Sequence, residues 1–148
     1  FGAPEVVRKL VIGKQSTDVH SPNLNQAIVD AYLREGILMD HIRKISESYG
    51  KQMAKMQEML STFPASVQYT RPDGGIFRWV ELPEGFNATK LLTTATEMGV
   101  AYIPGTHFYA VPDTHHNTMR LNFSNATLEN IEKGMTILKE LFISQGLK

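Results

Sequence analysis

A single apolar stripe near the middle of the chain constrains the fold most. Apolar side chains recur there at steps of three or four residues, which is the spacing of one face of an α-helix. They are Leu38, Ile42, Ile45, Tyr49, Met53, Met56, Leu60 and Phe63. Pro64 follows, and a proline disfavours helical backbone in the residue before it. The stripe therefore predicts one long helix that ends at Pro64, and a helix of this length often leans on structure outside a small domain.

Two shorter helices are predicted before the long one. Pro4 suits a first helical turn, and Ser21-Pro22 is typical of a helix start, with the serine as the cap. The polar segment from Gln15 to His20 separates the two helices. Gly36 is expected to end the second one, because glycine accepts the left-handed backbone that commonly follows a helix.

The second half of the chain changes from helical to strand spacing. Strands are predicted at Val67–Thr70, Ile76–Leu82, Val100–Ile103 and Thr118–Phe123, with a turn at Pro72-Asp73-Gly74-Gly75 and a loop at Pro104–Asn117. Asn87 and Thr127 are expected to cap two further helices, and Leu128, Ile131, Met135, Leu138 and Phe142 form the apolar stripe of the last one. This order predicts an α+β fold, with a small, mostly antiparallel sheet covered by helices on one face and preceded by the long helix.

Length and charge narrow the class of function. The 148 residues suit a single domain, and equal numbers of acidic and basic residues give no long-range attraction to nucleic acid or to an anionic membrane. No cysteine is present, so disulfides and thiolate chemistry are excluded. No secretory signal or membrane-spanning run is recognised, and the cytoplasm is the expected location.

Most candidate motifs have a simpler structural interpretation. Gly13-Lys14-Gln15-Ser16 lacks the spacing of a phosphate loop, and Lys14 is read as a solvated cation at a helix end. His115-His116 has no third ligand at a suitable spacing, so no metal site is predicted. The set Asp18, His20 and Ser21 lacks a nucleophile elbow. The methionines at 53, 56 and 59 are read as flexible core filler or as a face for another lobe.

Arg120 is the most informative polar residue. In the strand Thr118–Phe123, strict alternation places Met119, Leu121 and Phe123 on one face and Arg120 on the other. A guanidinium in the middle of a strand has a rigid fork of donors that suits a carboxylate. From the pattern alone, a solvated sheet face or a structural ion pair is the favoured interpretation of the residue.

Several stretches together resemble one family, the class I/II pyridoxal-phosphate aminotransferases of fold type I. The similarity is to the branch of aromatic, 2-aminoadipate and branched-chain transaminases. The stretches are Ala3-Pro4-Glu5, Lys14–Asp18, Asn23–Gln26, Arg71–Trp79, Gly99–Gly105 and Met119–Ser124. The resemblance implies that residues 1–148 are the C-terminal small domain. Residues 1–36 would then lead from a larger domain, and residues 37–63 would form the helix between the domains.

The resemblance also implies roles for particular residues. Arg120 is expected to bind the α-carboxylate of the amino-acid substrate. The stretch from Ser16 to Asn23 aligns with a segment that approaches the active site of a partner subunit, where Asp18, His20 or Asn23 would contribute. The loop Pro104–Tyr109 is expected near the substrate entrance, with Phe108 or Tyr109 shaping side-chain preference.

The family's cofactor residues are expected outside this segment. Relatives hold pyridoxal phosphate on a lysine in a serine-rich motif of the large domain, so no catalytic, cofactor-binding or metal-binding residue is predicted here. The full-length protein is expected to be a homodimeric aminotransferase acting on amino acids and 2-oxo acids, and this chain alone is predicted to be inactive. An absorbance band of a lysine–cofactor imine, abolished by borohydride, would contradict that prediction.

Two other functions stay open at this point. Some transcriptional regulators join a winged-helix DNA-binding domain to an aminotransferase-like body, and their C-terminal segment would look the same as an enzyme's. A free-standing α+β binding module without catalysis would instead be a stable monomer. A severed lobe is expected to expose its methionine-rich helix stripe and to self-associate.

Overall fold

The computed structural model describes residues 2–111 and 113–148. The chain forms two compact units, Phe1–Lys44 and Ile45–Lys148. Compactness alone does not say whether a unit folds independently. The single domain proposed for residues 1–148, with its boundaries at 36 and 63, therefore stays a prediction.

The first unit contains two complete helices. Helix α1 spans Pro4–Thr17 and helix α2 spans Asn23–Arg34, and no residue of either helix is buried. Helix α1 continues into the segment that was expected to break it, because the hydroxyl of Thr17 and the ammonium of Lys14 find partners along the helix. The predicted serine cap of α2 is wrong, since Pro22 occupies the cap position and no side chain caps the helix.

Helix α3 is the predicted long helix and spans Leu38–Ser61. The boundary between the two units falls inside it. In the second unit, Met56 and Leu60 of the apolar stripe are buried, and Met53 and Met59 pack against the same core. The methionines are therefore core filler, and the expectation that this stripe is exposed is wrong.

The second unit holds a four-stranded sheet in which every neighbouring pair is antiparallel. Its strands are β1 (Gln68–Tyr69), β2 (Phe77–Glu81), β3 (Ile103–Pro104) and β4 (Thr118–Asn122), and their order in the sheet is β1-β2-β4-β3. All four lie within one or two residues of the predicted strands, except that β3 begins three residues late. Part of the expected loop after it is a 3-10 helix, Gly105–Phe108.

Two further helices, α4 (Ala88–Glu97) and α5 (Leu128–Ser144), complete the second unit. Their predicted caps are confirmed, because the Asn87 side chain accepts from the Lys90 amide and the Thr127 hydroxyl accepts from the Asn130 amide. The buried face of α5 consists of Ile131, Met135, Leu138, Leu141 and Phe142. Leu128, placed in that stripe by its spacing, is exposed in the first helical turn.

The core of the second unit lies on one face of the sheet. Val80, Met119, Leu121 and Phe123 point into it and join the buried side chains of α3, α4 and α5. The α+β architecture is therefore confirmed. The other sheet face carries Phe77, Trp79 and Arg120 and is not part of the core. Within the described residues, no helix combines the length and apolarity that crossing a membrane requires.

Candidate functional site

Arg120 lies in the middle of β4, between two neighbouring strands. Its cross-strand partners are Trp79 of β2 and Ile103 of β3. The flanking residues Met119 and Leu121 are buried in the core, so strand alternation directs Arg120 to the opposite face. The side chain is half-buried, and its guanidinium has no hydrogen bond or ion pair to any residue that the structure describes. Such a cation is available to an anionic ligand.

Two aromatic rings contact this guanidinium. Its central carbon lies 3.9 Å from the ring centroid of Phe77 and 4.6 Å from that of Phe108. Phe77 belongs to β2 and Phe108 to the 3-10 helix, so two separate elements supply the rings. Both distances fall within the range of a cation–π contact.

The aromatic contacts extend beyond these two rings. Trp79 makes edge contacts with Phe108 at 5.6 Å and with Tyr109 at 6.0 Å between ring centroids. Tyr109 in turn stacks on His115, with centroids 3.7 Å apart and the rings 4° from parallel. We call Phe77, Trp79, Phe108, Tyr109 and His115 the aromatic cluster.

Tight backbone contacts place the 3-10 helix beside Arg120. Gly105, its first residue, lies so close to β4 that an added Cβ atom would fall 2.7 Å from the Cβ atom of Thr118 and would overlap its hydroxyl oxygen. The Thr118 hydroxyl donates to the carbonyl of His115 at 2.7 Å. Leu82 and Asn117 fix the end of the same loop, since each donates a hydrogen bond to the other's carbonyl oxygen.

The sheet carries a second arginine with a different character. Arg78 faces the core from β2 and is only 2% exposed, and its Nε and Nη1 atoms have no acceptor among the described residues. Burial lowers the pKa of this guanidinium. Arg78 shares a strand face with the buried Val80, and it was not identified from the sequence.

Several other residues considered from the sequence belong to the first unit. Asp18 and His20 belong to the first unit, where Asp18 pairs with Lys14 at 3.0 Å and the Nδ1 atom of His20 lies 2.8 Å from the carbonyl of Ser21. Asn23 begins α2. Their predicted contribution to a partner's active site stays a prediction. The interpretation of Lys14 as a solvated helix-end cation is consistent with its exposed ion pair.

The histidine pair does not build a metal centre in the described part of the chain. His115 stacks on Tyr109, whereas the Nε2 atom of His116 lies 3.4 Å from a carboxylate oxygen of Asp113. No group of three metal-ligating side chains occurs among the described residues. Phe108, predicted near the substrate entrance, does contact Arg120, and Tyr109 joins it through Trp79. The sequence did not identify Phe77 and Trp79 as site residues, although the register of β2 against β4 brings them there.

The site combines a forked cation with an apolar aromatic surround. Such a site suits a ligand that has a carboxylate attached to an organic body, because a guanidinium can pair with an acid bidentately while the rings offer apolar surface to the rest of the ligand. The fold and the site thus define an α+β domain that carries a half-buried arginine among aromatic rings on the sheet face opposite its core.

Comparison with known proteins places this domain in a family. The model of the family "Aminotransferase class I and II" matches residues 2–138, and the chain belongs to that family. The aromatic-amino-acid aminotransferase 1 of Thermococcus litoralis is 42% identical over 138 residues, which are 93% of this chain and 33% of that protein. The 2-aminoadipate transaminase of Thermus thermophilus is 38% identical over 134 residues, 89% of this chain and 33% of that protein.

A solved structure shows the same fold. The kynurenine aminotransferase of Pyrococcus horikoshii, in complex with PMP, has a TM-score of 0.87 and 39% identity, covering 97% of this chain and 35% of that one. The chain thus spans about a third of the length of the relatives it matches. An HTH-type transcriptional regulator of Bacillus subtilis also matches, with a lower identity of 26% over 145 residues, 95% of this chain and 30% of that protein.

Proposed function

We propose that this chain is the C-terminal, substrate-carboxylate-binding segment of a pyridoxal-phosphate-dependent aminotransferase. The full-length enzyme would move an amino group from an amino acid to a 2-oxo acid. The observation that carries the proposal is the Arg120 guanidinium, which lies half-buried among aromatic rings without an acid partner in the described part of the chain. Family membership supports it, because amino acids and 2-oxo acids share the carboxylate that this cation would bind.

Arg120 would bind and orient the substrate. Both substrates carry a carboxylate next to the reacting carbon, so one fixed fork serves either half of the reaction. A bidentate ion pair fixes the direction of the bound molecule as well as its position, and correct orientation lowers the entropic part of the barrier. The rings of Phe77 and Phe108 would flank this pair with apolar surface.

The cofactor would be held by residues beyond these 148. Pyridoxal phosphate, when bound, supplies the electron sink of the reaction. The described lysines do not fit its attachment, because none is buried and Lys55 pairs with Glu132 at 2.8 Å. The hydrogen bond to Glu132 raises the pKa of Lys55 and favours the ammonium over the neutral amine that attacks an aldehyde. We therefore propose that this chain alone neither binds the cofactor nor transaminates.

The complete protein would be a homodimer with the active site at the subunit boundary. Asp18, His20 and Asn23 are the residues proposed to reach the partner's site, and Phe108 and Tyr109 those proposed to shape side-chain preference. Phe108 already contacts Arg120, which supports the second assignment. The enzyme is favoured over a regulator because the aminotransferase relatives share 42% and 38% identity with this chain, against 26% for the HTH-type regulator. Family membership likewise disfavours an unrelated binding module.

A substitution series at Arg120 tests the proposal in the full-length protein that contains this segment. Arg120→Gln removes two charge-assisted hydrogen bonds, and we expect kcat/KM for amino-acid substrates to fall by about 100- to 1,000-fold. Arg120→Lys keeps the charge but loses the fork, so an intermediate loss is expected. Steady-state transamination kinetics with several amino acids measure both effects.

Arg71→Gln is the matched control for this series. Arg71 is an exposed arginine close to the same sheet, and its guanidinium contacts Tyr69, not Arg120 or the aromatic cluster. We expect this variant to keep full activity. Turnover by Arg120→Gln within twofold of the unsubstituted protein would refute the proposed role of Arg120.

A further inference from the structure

Two phenylalanine side chains at the candidate site are more exposed to solvent than is usual for large apolar residues. Phe77 and Phe108 are 37% and 47% exposed, so burial in the core does not account for either ring. Each instead contacts the guanidinium of Arg120, at 3.9 Å and 4.6 Å from the ring centroid. The two rings come from different elements, a strand and a 3-10 helix, and both contact this cation.

The planar shape of a guanidinium determines which part of the group a ring can cover. Its five N–H donors lie in the plane of the group, whereas a ring that stacks on it contacts the face. A ring over the face would hold the cation and leave its in-plane donors available, and the short distances to Phe77 and Phe108 suit that arrangement. An acidic partner would hold the cation equally well, but it would occupy the donors that a substrate carboxylate needs.

We propose that Phe77 and Phe108 are positioning residues that restrain the Arg120 side chain before a carboxylate binds. An arginine loses rotamer entropy when it is fixed, and a restrained side chain has already lost part of that entropy before the ligand arrives. Trp79 supports the arrangement because its ring contacts Phe108 edge-on at 5.6 Å. The inference rests on the proposed function, since it concerns the same cation.

The first test measures Arg120 without any ligand. In the 148-residue chain, NMR of the Arg120 Nε–H group reports ring-current shift and hydrogen exchange with solvent. We expect an upfield-shifted, slowly exchanging signal that moves toward the ordinary arginine position in Phe77→Leu and Phe108→Leu. Phe108→Tyr keeps a ring and should retain the original signal. An unchanged Arg120 signal in both leucine variants would overturn the inference.

The second test adds a carboxylate probe. Benzoate is titrated into the same chain, with neutral benzamide as the matched control, and binding is followed by NMR. We expect each leucine variant to weaken benzoate binding by about 2- to 5-fold and the double variant by about 5- to 30-fold, with benzamide unaffected. Melting temperatures should stay close to that of the unsubstituted chain, as in the surface control Leu128→Ala, because the replaced rings are exposed.

The two tests separate this inference from the proposed function. If Arg120→Gln abolishes benzoate binding but the leucine variants do not change it, the positioning role is wrong and the function stands. If the leucine variants mobilise Arg120 while benzoate shows no dependence on Arg120, the carboxylate site itself is wrong, and the positioning role fails with it. Melting temperatures that fall together with affinity in both leucine variants, without rescue by Phe108→Tyr, would reduce the rings to a structural role.

Discussion

At the residue scale, two arginines on paired strands meet opposite environments. Arg120 and Arg78 lie on β4 and β2, and alternation sends the first to the aromatic face and the second into the core. Both lack an acid partner in the described part of the chain, but only Arg120 keeps access to a ligand. For Arg78 the same chemistry is a cost, because buried donors without acceptors are unfavourable.

The Arg78 environment predicts a stabilising substitution. Arg78→Met keeps a long, flexible side chain and removes the buried donors, so we expect the free energy of unfolding to rise by about 1–3 kcal/mol. Urea denaturation of the chain measures the change. Arg8→Met, at an exposed position of α1, is the control and should change stability by less than about 0.5 kcal/mol. A clear loss of stability in Arg78→Met would show that the guanidinium has a partner.

A substitution at Gly105 is expected to lower the stability of the chain. Gly105→Ala places a methyl group against the side chain of Thr118, so we expect the 3-10 helix to shift and stability to fall by about 1–3 kcal/mol. Gly50→Ala is the matched control, because an added Cβ atom at that position in α3 meets nothing within 4 Å. Helix propensity should make the control more stable by about 0.5–1 kcal/mol. Thermal melts that move both variants in the same direction would contradict the close approach of Gly105 and β4.

At the element scale, one buried tyrosine connects the segment before β3 to the start of α4. The hydroxyl of Tyr102 donates to the carbonyl of Ala88 at 2.7 Å, and the ring belongs to the core. Ala88 is the first residue of α4, and its amide donates to the carbonyl of His116 at 2.7 Å. Tyr102 therefore ties this helix to the strand region that leads into the 3-10 helix.

Tyr102 predicts a loss of stability at alkaline pH. Burial raises its pKa from 10.0 to about 12, because the phenolate would be desolvated. Between these values the unfolded chain loses a proton that the folded chain keeps. Stability from this group is therefore complete below about pH 10 and declines as pH rises to about 12, by about 1–2 kcal/mol. Urea denaturation in buffers from about pH 8 to about pH 11.5 tests this predicted loss of stability.

Tyr102→Phe is the control for the pH dependence. The variant lacks the ionisable group, so its stability should change less between neutral and alkaline pH than that of the unsubstituted chain. At neutral pH it should be less stable by about 1 kcal/mol, because the Ala88 carbonyl loses its donor. Parallel pH profiles for the two proteins would exclude Tyr102 as the cause of the alkaline loss.

At the scale of the whole molecule, the first unit exposes the apolar surface that the methionine-rich stripe was expected to expose. Exposed apolar side chains are frequent on both α1 and α2. They include Val6, Leu10 and Val11 of α1 and Leu24, Ile28 and Leu33 of α2. Patches of this kind promote association when nothing covers them. We therefore expect the isolated chain to self-associate with increasing concentration.

Light scattering with a charged pair on α2 tests that expectation. Leu24→Glu combined with Ile28→Lys places two charges on exposed positions four residues apart, an arrangement that supports the helix and keeps the net charge at zero. We expect this variant to have a lower average mass than the unsubstituted chain at the same concentration. Leu128→Ala in α5 should leave the mass unchanged. A monomeric unsubstituted chain would favour the free-standing module instead.

Most elements of the fold were predictable because local patterns determine them. The stripe from Leu38 to Phe63, the caps Asn87 and Thr127, and the alternation in β4 each express a preference of a few neighbouring residues. Errors occurred where packing between distant residues decides the outcome, and at the start of α2, where the cap is Pro22 and not the adjacent Ser21. Leu128 has the spacing of a buried residue, but it lies in the first turn of α5, outside the packed region.

Local patterns along the chain were enough to predict the α+β class and the face on which Arg120 lies, and the family resemblance made a carboxylate its expected ligand. The folded chain was needed to find what surrounds that arginine, and to find that two buried donors of Arg78 have no acceptor among the described residues. Phe77 and Phe108 meet at one cation because β2 pairs with β4 and because Gly105 lets the 3-10 helix approach. Register and close approach depend on residues far apart in the chain, and no local pattern encodes them.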